Sequence, residues 1–363
     1  MNRFGKKLHL PLPNRGRRKF LGMGIAAAFS PIFLSALNAC SPSSNRTSSS
    51  GQTTGATGRA IKFSHGSGIC NMPLFYSSEK GLFNQYGING SVAMTPMVSD
   101  IAAQLATGQV EMAVIPFTNA IAAYTQGASF QVVAGSGTEG LIVVAKPDIS
   151  SFEQLKGRKV GTFQADTLDV IVYDYLKKAD MTYEDVEMIY FGDSTELLNA
   201  YLAGQVDAIS HIEPYATKAR TSTQGNILGN GTDIYGKGYP DCVLAARNEL
   251  IEQEPEVVKN VIKTFFEAQY QIENDFEEAA KTTIDKYYKT DLESLLAAAQ
   301  AQPPGVDIRD KRDFIYSRAE SMRELNYVNT DLDQDFVNFT LLQAVIDENP
   351  ELWERVRVKS AQA

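Results

Sequence analysis

Two stretches of the chain share one pattern of apolar and polar positions. Residues 103–114 and 199–210 each begin as an apolar run with helical spacing, pass through a glycine (Gly108 or Gly204) and end in a short apolar run. A glycine directly after a periodic apolar run is typical of a helix end, and the apolar run behind it has strand length. Both copies contain Gly-Gln-Val followed by Glu or Asp. Two copies of one helix–strand unit predict two similar α/β lobes with a candidate site between them.

Strand and helix patterns alternate along the rest of the chain. The pattern predicts strands over residues 59–64, 91–94, 131–134, 141–144, 186–190 and 243–246. It predicts helices over residues 74–80 and 168–178, an N-cap at Ser99 and Asp100 for the helix of the first copy, and mostly helix from Pro255 onward. This alternation favours two sheets with helices packed on both faces.

The first 39 residues have the pattern of an export signal. Arg17-Arg18-Lys19 precedes a modest apolar run that ends in Leu37-Asn38-Ala39-Cys40. Paired arginines before such a run are typical of a twin-arginine signal, and the final residues resemble a lipoprotein box in which Cys40 carries the lipid. Residues 40–59 are mostly small and polar, which predicts a disordered tether. We expect a lipid-anchored protein outside the cytosol; an ordinary signal peptide or an uncleaved anchor is the alternative.

Charge narrows the class of partner. The leader holds seven of the 34 basic residues and none of the 43 acidic ones, so the rest of the chain has a formal charge of −16. A body this acidic is unsuited to nucleic acid, whose binding depends on neutralising phosphates. We interpret the acidity as a contribution to solubility.

Several motifs in order resemble one protein family. They are residues 61–63, Pro73-Leu-Phe-Tyr, Glu79-Lys-Gly-Leu-Phe, Tyr86-Gly-Ile, Leu155-Lys-Gly-Arg-Lys-Val-Gly, Gly204-Gln-Val-Asp-Ala with Glu213-Pro214, and Pro255-Glu-Val-Val. The chain resembles the substrate-binding proteins of ABC importers for nitrate, sulfonate, taurine, bicarbonate and thiamine-pyrimidine precursors over about residues 61–270. The predicted export signal supports this resemblance independently of the motifs.

The resemblance implies the α/β fold of a type II periplasmic binding protein, in which two lobes are joined by a two-strand hinge and a ligand is held in the cleft between them. It implies a first lobe of residues 60–146 plus 243–363, a second lobe of residues 147–242, and hinge strands near residues 144–146 and 243–246. It also implies a monomer that works with an ABC permease and its ATPase, without catalysis and without a cofactor.

Ligands of such sheets bind outside the strand ends, against helix N-termini. The loops that qualify are residues 65–72, 99–100, 117–119, 136–137, 164–167, 193–195, 211–215 and 239–242. Phe117, Tyr215 and Tyr239 are candidates for stacking on a planar ligand, or else core residues, while Thr118, Asn119 and Thr167 are either ligand contacts or N-caps. The full candidate set is His65, Cys70, Asn71, Met72, Ser99, Phe117, Thr118, Asn119, Ser136, Gln164, Asp166, Thr167, His211, Glu213, Tyr215, Tyr239 and Asp241.

Apart from the lipid-carrying Cys40, the histidines and cysteines that follow the leader all fall in these loops. They are His65, His211, Cys70 and Cys242. Three interpretations are open, namely a Cys70–Cys242 disulfide, a soft-metal site made by all four residues, and coincidence. Export makes the disulfide plausible, although it would lie near the expected hinge and could impede opening. No tight ligand spacing supports a metal.

The predicted loops are acidic. They contain Asp166, Glu213 and Asp241 but no Lys or Arg. Because carboxylates accept hydrogen bonds from exocyclic amines, this composition favours an amino-substituted heterocycle or a cation over a small oxyanion. In that case Glu213→Gln and Asp166→Asn should each weaken binding; if the two residues are structural, neither should.

Two other classes of function compete with transport. Some proteins of this fold are enzymes that make the thiamine pyrimidine from a histidine and a pyridoxal phosphate lysine; the export signal and the loops without lysine argue against this class. A tethered ligand sensor is the other alternative, although no signalling domain is recognisable.

Overall fold

A computed structural model describes residues 58–360 apart from Met94 and Pro96. The predicted leader, Cys40 and most of the tether lie outside the described residues. The strands are β1 (Arg59–Ser64), β2 (Ile88–Val92), β3 (Met112–Pro116), β4 (Phe130–Thr138), β5 (Leu141–Ala145), β6 (Lys159–Thr162), β7 (Glu187–Tyr190), β8 (Ala208–Ile212), β9 (Asn226–Gly229) and β10 (Pro240–Arg247).

Helices connect and cover these strands. They are α1 (Met72–Glu79), α2 (Leu82–Gln85), α3 (Val98–Ala106), α4 (Phe117–Thr125), α5 (Thr167–Lys178), α6 (Ser194–Leu202), α7 (Tyr215–Thr223), α8 (Thr232–Tyr235), α9 (Asn248–Gln253), α10 (Pro255–Asn274), α11 (Phe276–Tyr287), α12 (Leu292–Ala297), α13 (Arg312–Glu324), α14 (Thr340–Glu348) and α15 (Pro350–Ser360). Within residues 58–360 we find no helix with the length and apolarity needed to cross a bilayer.

The strands form two five-stranded sheets with the same plan. The first sheet has the order β2-β1-β3-β10-β4 and the second has the order β7-β6-β8-β5-β9. In each sheet the first three strands are parallel, and the fourth (β10 or β5) is antiparallel to its neighbours. The predicted α/β fold with two similar units is therefore confirmed, and we call the part built on each sheet a lobe.

The repeated sequence performs the same structural task in both lobes. Gly108 and Gly204 end α3 and α6 with φ of +74° and +72°, a region that favours glycine because it has no Cβ. Three residues later, the carboxylate of Glu111 accepts the backbone N–H of Lys62 at 3.0 Å, and that of Asp207 accepts the N–H of Lys159 at 3.0 Å. Each acid thus ties its own segment to the neighbouring parallel strand, at Lys62 within β1 and at Lys159 at the start of β6.

The chain crosses between the sheets twice, at adjacent points. It leaves the first sheet at Glu139 and Gly140, between β4 and β5, and returns just before β10. The Glu139 N–H donates to the Tyr239 carbonyl at 2.8 Å, and its carboxylate accepts the Gly238 N–H at 2.7 Å. The first crossing therefore precedes the hinge expected at residues 144–146, because β5 as a whole belongs to the second sheet.

Some predicted boundaries were wrong by a few residues. The strand β2 begins at Ile88 rather than at residue 91. The helix α3 begins at Val98, so Ser99 lies inside it and is not an N-cap; Asp100 instead accepts the Met97 N–H at 3.2 Å. The strand β4 extends to Thr138, and the C-terminal segment covers its edge through bridges to Pro304 and Val337.

Candidate ligand-binding cleft

The loops at the carboxyl ends of the parallel strands of the two lobes face each other, and we call this region the cleft. The Ser67 and Ser194 hydroxyl oxygens lie 2.6 Å apart across it. The Ile69 N–H donates to the Glu213 carbonyl at 2.9 Å. These interlobe contacts lie where the strands end in both lobes, which is where the sequence predicts the ligand site; the site itself stays a prediction.

Two buried carboxyl groups meet at one hydroxyl in this region. Asp166 caps α5 by accepting the Leu168 N–H at 3.0 Å. The Thr167 hydroxyl lies 2.8 Å from Asp241 and 3.1 Å from Asp166, and its single hydrogen can bond only one of them. Burial and the neighbouring Asp166 raise the pKa of Asp241 to about 8, and burial raises the pKa of Asp166 to about 6. Asp241 therefore holds a proton at neutral pH.

Gln302 completes this network from the C-terminal part of the chain. Its Nε2 donates to Asp241 at 2.8 Å and to the Glu139 carbonyl at 3.2 Å, and its Oε1 accepts the Cys70 N–H at 3.2 Å. Gln302 is fully buried beside the first crossing. Sequence reasoning missed it because a single glutamine before Pro303 carries no signal for a contact 232 residues away.

Cys70 and Cys242 form a disulfide, with their Cα atoms 5.8 Å apart. Cys70 follows β1, and Cys242 lies in β10, so both belong to the first lobe. The bond ties the β1–α1 loop to β10 and does not cross the cleft. Cys242 lies three residues after Tyr239, so the disulfide is close to the second crossing, as expected. Its effect on opening stays a prediction.

The two histidines do not join the cysteines. Among the described residues, the group with metal-binding spacing is Cys70, Asp241 and Cys242, without His65 or His211. His65 contacts the Gly66 carbonyl at 2.7 Å and packs edge-on against the ring of Phe75.

His211 is a buried neutral side chain. Its Nε2 donates to the Ser194 carbonyl at 2.9 Å and its Nδ1 accepts the Ile212 N–H at 2.8 Å. Burial lowers the pKa of His211 to about 4, which keeps the ring neutral. The ring stacks on Tyr215 with centroids 5.1 Å apart. In this arrangement His211 positions the β8–α7 loop against α6.

The Glu213 side chain bonds to the first turn of α7, the helix that follows it. Its two carboxylate oxygens accept the backbone N–H and the hydroxyl of Thr217, both at 2.9 Å. Burial raises the pKa of Glu213 to about 7. These bonds satisfy the first turn of α7, which is the structural alternative that the sequence left open. The Glu213–Pro214 peptide bond is cis.

The three candidate stacking residues are buried in protein contacts. Phe117 packs edge-on against Phe314 with centroids 5.8 Å apart, and Tyr239 packs edge-on against Tyr235 at 5.3 Å. The Tyr239 hydroxyl donates to the Asn230 carbonyl at 2.7 Å. With the lobes in contact, these rings and Tyr215 fill space between helices.

Known proteins match both the sequence and this two-sheet arrangement. Residues 56–284 match the model of the NMT1-like family. The chain belongs to the NMT1-like family. It is 27% identical over 195 residues to a Brucella abortus (strain 2308) protein named only as a binding protein, which covers 53% of this chain and 60% of that one. It is 22% identical over 345 residues to YtlA of Bacillus subtilis (strain 168), also named only as a binding protein, covering 92% and 93%.

Solved structures identify the fold. The periplasmic nitrate-binding protein NrtA from Synechocystis PCC 6803 superposes with a TM-score of 0.72 at 15% identity, covering 82% of this chain and 91% of that one. This likeness confirms the periplasmic-binding-protein fold implied by the sequence resemblance. The chain spans only 60% of the length of the Brucella relative.

The other candidate residues of this NMT1-like chain differ in burial and in hydrogen-bond partners. Asn71 shapes the β1–α1 loop by accepting the Gly66 N–H at 3.0 Å, and Ser136 donates to the Cys70 carbonyl at 2.6 Å. Met72 is a core residue. Ser99 and Gln164 are exposed. Their roles toward a ligand stay predictions.

Buried polar atoms without a partner lie at strand ends in both lobes. The Thr118 hydroxyl and the Asn119 Oδ1 in the first turn of α4, and the Thr162 hydroxyl at the end of β6, make no hydrogen bond within the described part of the chain. Asn119 also donates from Nδ2 to the Ala165 carbonyl of the second lobe at 3.3 Å. Buried polar groups are rarely left unpaired, so these atoms are candidates to bind a ligand. The sequence indicated Thr118 and Asn119 but not Thr162.

Proposed function

We propose that this NMT1-like protein is an extracytoplasmic solute receptor that captures a small molecule in the cleft and delivers it to the permease of an ABC importer. The observation that carries the proposal is the cleft itself, where the strand ends of both lobes meet and the buried hydroxyls of Thr118 and Thr162 have no protein partner. A ligand that bonds both lobes stabilises the state in which they touch. The fold shared with a nitrate-binding protein supports this function.

The proposed movement is a rotation of the second lobe about the two crossings. Glu139 has φ +60° and Gly140 has φ +79°, and the second crossing lies alongside at Gly238 and Tyr239. A few residues at such crossings can absorb the backbone change of a hinge. We therefore propose lobes divided near residues 140 and 239, slightly before the boundaries expected from sequence at 146 and 242.

The proposed ligand carries N–H donors or a positive charge, as in an amino-substituted heterocycle related to thiamine-pyrimidine precursors. Asp166 is buried where the lobes meet, and among the described residues no Lys or Arg contacts its carboxylate. A ligand amine would supply a hydrogen bond and neutralise the charge of ionised Asp166. The partnerless acceptors of Thr118 and Asn119 suit the same donors.

A thermal-shift panel tests the ligand class. We expect an aminopyrimidine to raise the melting temperature, because a ligand at 100 times its Kd stabilises the native state by about 2.7 kcal/mol. Nitrate, taurine and bicarbonate should have no comparable effect. If only these oxyanions raise the melting temperature, the receptor proposal stands and the amino-ligand proposal is wrong.

Two variants test the carboxyl groups. Asp166→Asn keeps an efficient N-cap for α5 while removing the charge, so it should weaken aminopyrimidine binding. Glu213→Gln is the matched control, because both oxygens of Glu213 are occupied by Thr217 and binding should be retained. Equal loss in both variants would contradict this assignment.

Export and anchoring are proposed from the leader. Replacing Arg17 and Arg18 by Lys should retain the protein in the cytosol, and Cys40→Ser should release it from the membrane fraction. Immunoblots of cell fractions distinguish these outcomes. A purified protein that absorbs as a Lys–pyridoxal adduct would instead favour the enzyme alternative.

A further inference from the structure

The helix α13, in the C-terminal part of the chain, lies between the two lobes. Its apolar residues Ile315 and Met322 belong to one buried cluster with Ile121 of α4 in the first lobe and Val170 of α5 in the second. Phe314 packs on Phe117 in the first turn of α4. One helix therefore buries apolar surface against helices from both sides of the cleft.

The side of α13 that faces α5 is polar. Arg318 forms an ion pair with Asp174, and Ser321 donates to the same carboxylate at 2.9 Å. The Arg318 and Asp174 side chains are only 21% and 12% exposed, so solvent screens their attraction weakly. Tyr235 also donates to Asp174, which leaves this carboxylate with three donors.

Hydrogen bonds and ion pairs between α13 and α5 are donated from both helices. Glu324, at the end of α13, accepts from the Tyr173 hydroxyl and from Lys177 of α5, both at 2.7 Å. Just beyond the helix, the Tyr327 hydroxyl donates to Asp169 in the first turn of α5. Each partner thus contributes both donors and acceptors, and this complementarity fixes the register of α5 against residues 312–327.

The last of these contacts reaches the cleft. The Asp169 carboxylate that accepts from Tyr327 also accepts the Ala165 N–H at 3.0 Å. The Ala165 carbonyl bonds Asn119, and Thr167 bonds Asp241. Tyr327 is therefore connected through one carboxylate to the loop that touches the first lobe at the cleft.

We propose that residues 312–327 are a C-terminal brace that holds α5 against the first lobe, so that Asp174, Arg318, Glu324 and Tyr327 control closure without touching the ligand. Their role is to position residues 165–167, and it rests on the proposed two-lobe receptor function. The brace lies beyond residue 284, where the family match ends.

Closure can be measured on the full chain without any added ligand. Small-angle X-ray scattering reports the radius of gyration, and amide hydrogen exchange reports the opening of residues 165–170. Asp174→Asn leaves Arg318 without its carboxylate. It should increase the radius of gyration and accelerate exchange in that segment about tenfold or more.

The matched control is Asp307→Asn. Asp307 pairs with Arg309 at 2.7 Å, with side chains 24% and 27% exposed, but both residues lie in the C-terminal segment away from α5. This variant should lose stability without a change in radius of gyration or in exchange at residues 165–170. If Asp174→Asn also loses stability without a change in radius of gyration or in exchange at residues 165–170, then Asp174 has only a structural role and the brace proposal is refuted.

A charge exchange tests the same contact by rescue. Glu324→Lys places two lysines together and should open the protein, whereas Glu324→Lys combined with Lys177→Glu should restore the compact state. Failure of the double variant to restore it would also refute the brace. If no solute in the panel binds but these changes occur as expected, the brace stands and the receptor proposal fails.

Discussion

Asp241→Asn replaces a buried carboxyl with an amide of the same shape. In the native network one Asp241 oxygen faces Thr167 at 2.8 Å and the other accepts from Gln302 at 2.8 Å. An asparagine can keep both bonds, with its carbonyl toward Gln302 and its amide donating to Thr167. The Thr167 hydroxyl then turns its hydrogen toward Asp166 at 3.1 Å. The substitution therefore removes a titrating group while keeping the bonds to Thr167 and Gln302.

The free energy involved follows from the pKa of Asp241. Burial raises it from 3.8 to about 8. At about 1.4 kcal/mol per pKa unit, ionising Asp241 in the folded protein costs a ceiling of about 6 kcal/mol. We expect roughly half of this, about 3 kcal/mol, because local entry of water relieves part of the cost.

The sign of the effect follows from linkage. Between pH 3.8 and about 8 the folded protein binds a proton at Asp241 that the unfolded chain has lost. The contribution of Asp241 to stability is thus fully present below pH 3.8 and is lost as pH rises through about 8. Asp241→Asn should match the wild type near pH 4 and be more stable by about 3 kcal/mol at pH 9.

Urea unfolding of both proteins from pH 4 to pH 9 measures this difference. Asp331→Asn is the control, because its side chain is 98% exposed and its replacement should not change the pH dependence. A difference between Asp241→Asn and wild type that stays constant with pH would show that Asp241 is ionised in the folded protein. A variant less stable at pH 9 than the wild type would refute the proposed network.

Three further outcomes are expected. The double variant Cys70→Ser, Cys242→Ser should lose about 2–5 kcal/mol of stability in urea unfolding, yet keep its ligand affinity, because the disulfide lies within one lobe. Asp207→Asn should lower the free energy of unfolding by about 1–3 kcal/mol, because the Asp207 carboxylate accepts the backbone N–H of Lys159 at the start of β6. The exposed Asp148→Asn is the comparison and should lower it by less than about 0.5 kcal/mol. His211→Gln should flatten the loss of stability that the wild type shows as pH falls from 6.5 to about 4, measured by thermal unfolding.

The fold was predictable because its signals are local. Gly108 and Gly204 each end a helix in a backbone region that favours glycine, and the apolar runs after them are fully buried strands. Asp166 and Asp193 cap the helices that follow their strands. A helix cap, a turn and a buried strand are each decided by neighbouring residues, so one sequence suffices to locate them.

The site was only partly predictable because it depends on contacts between distant segments. The sequence placed Asp166, Thr167 and Asp241 in cleft loops, but only the tertiary structure joined them through one hydroxyl and added Gln302. Nothing in the sequence separates Glu213 from these residues as a ligand contact, yet its carboxylate accepts hydrogen bonds from Thr217.

The repeated stretch by itself determined that the protein has two similar lobes. What only the tertiary structure decided is which lobe each later segment joins and what it touches. The strand β5 enters the second sheet, the disulfide stays within the first lobe, and α13 contacts both. The physical reason is that pairing across more than a hundred residues depends on complementary surfaces, which one-dimensional patterns of polarity do not contain.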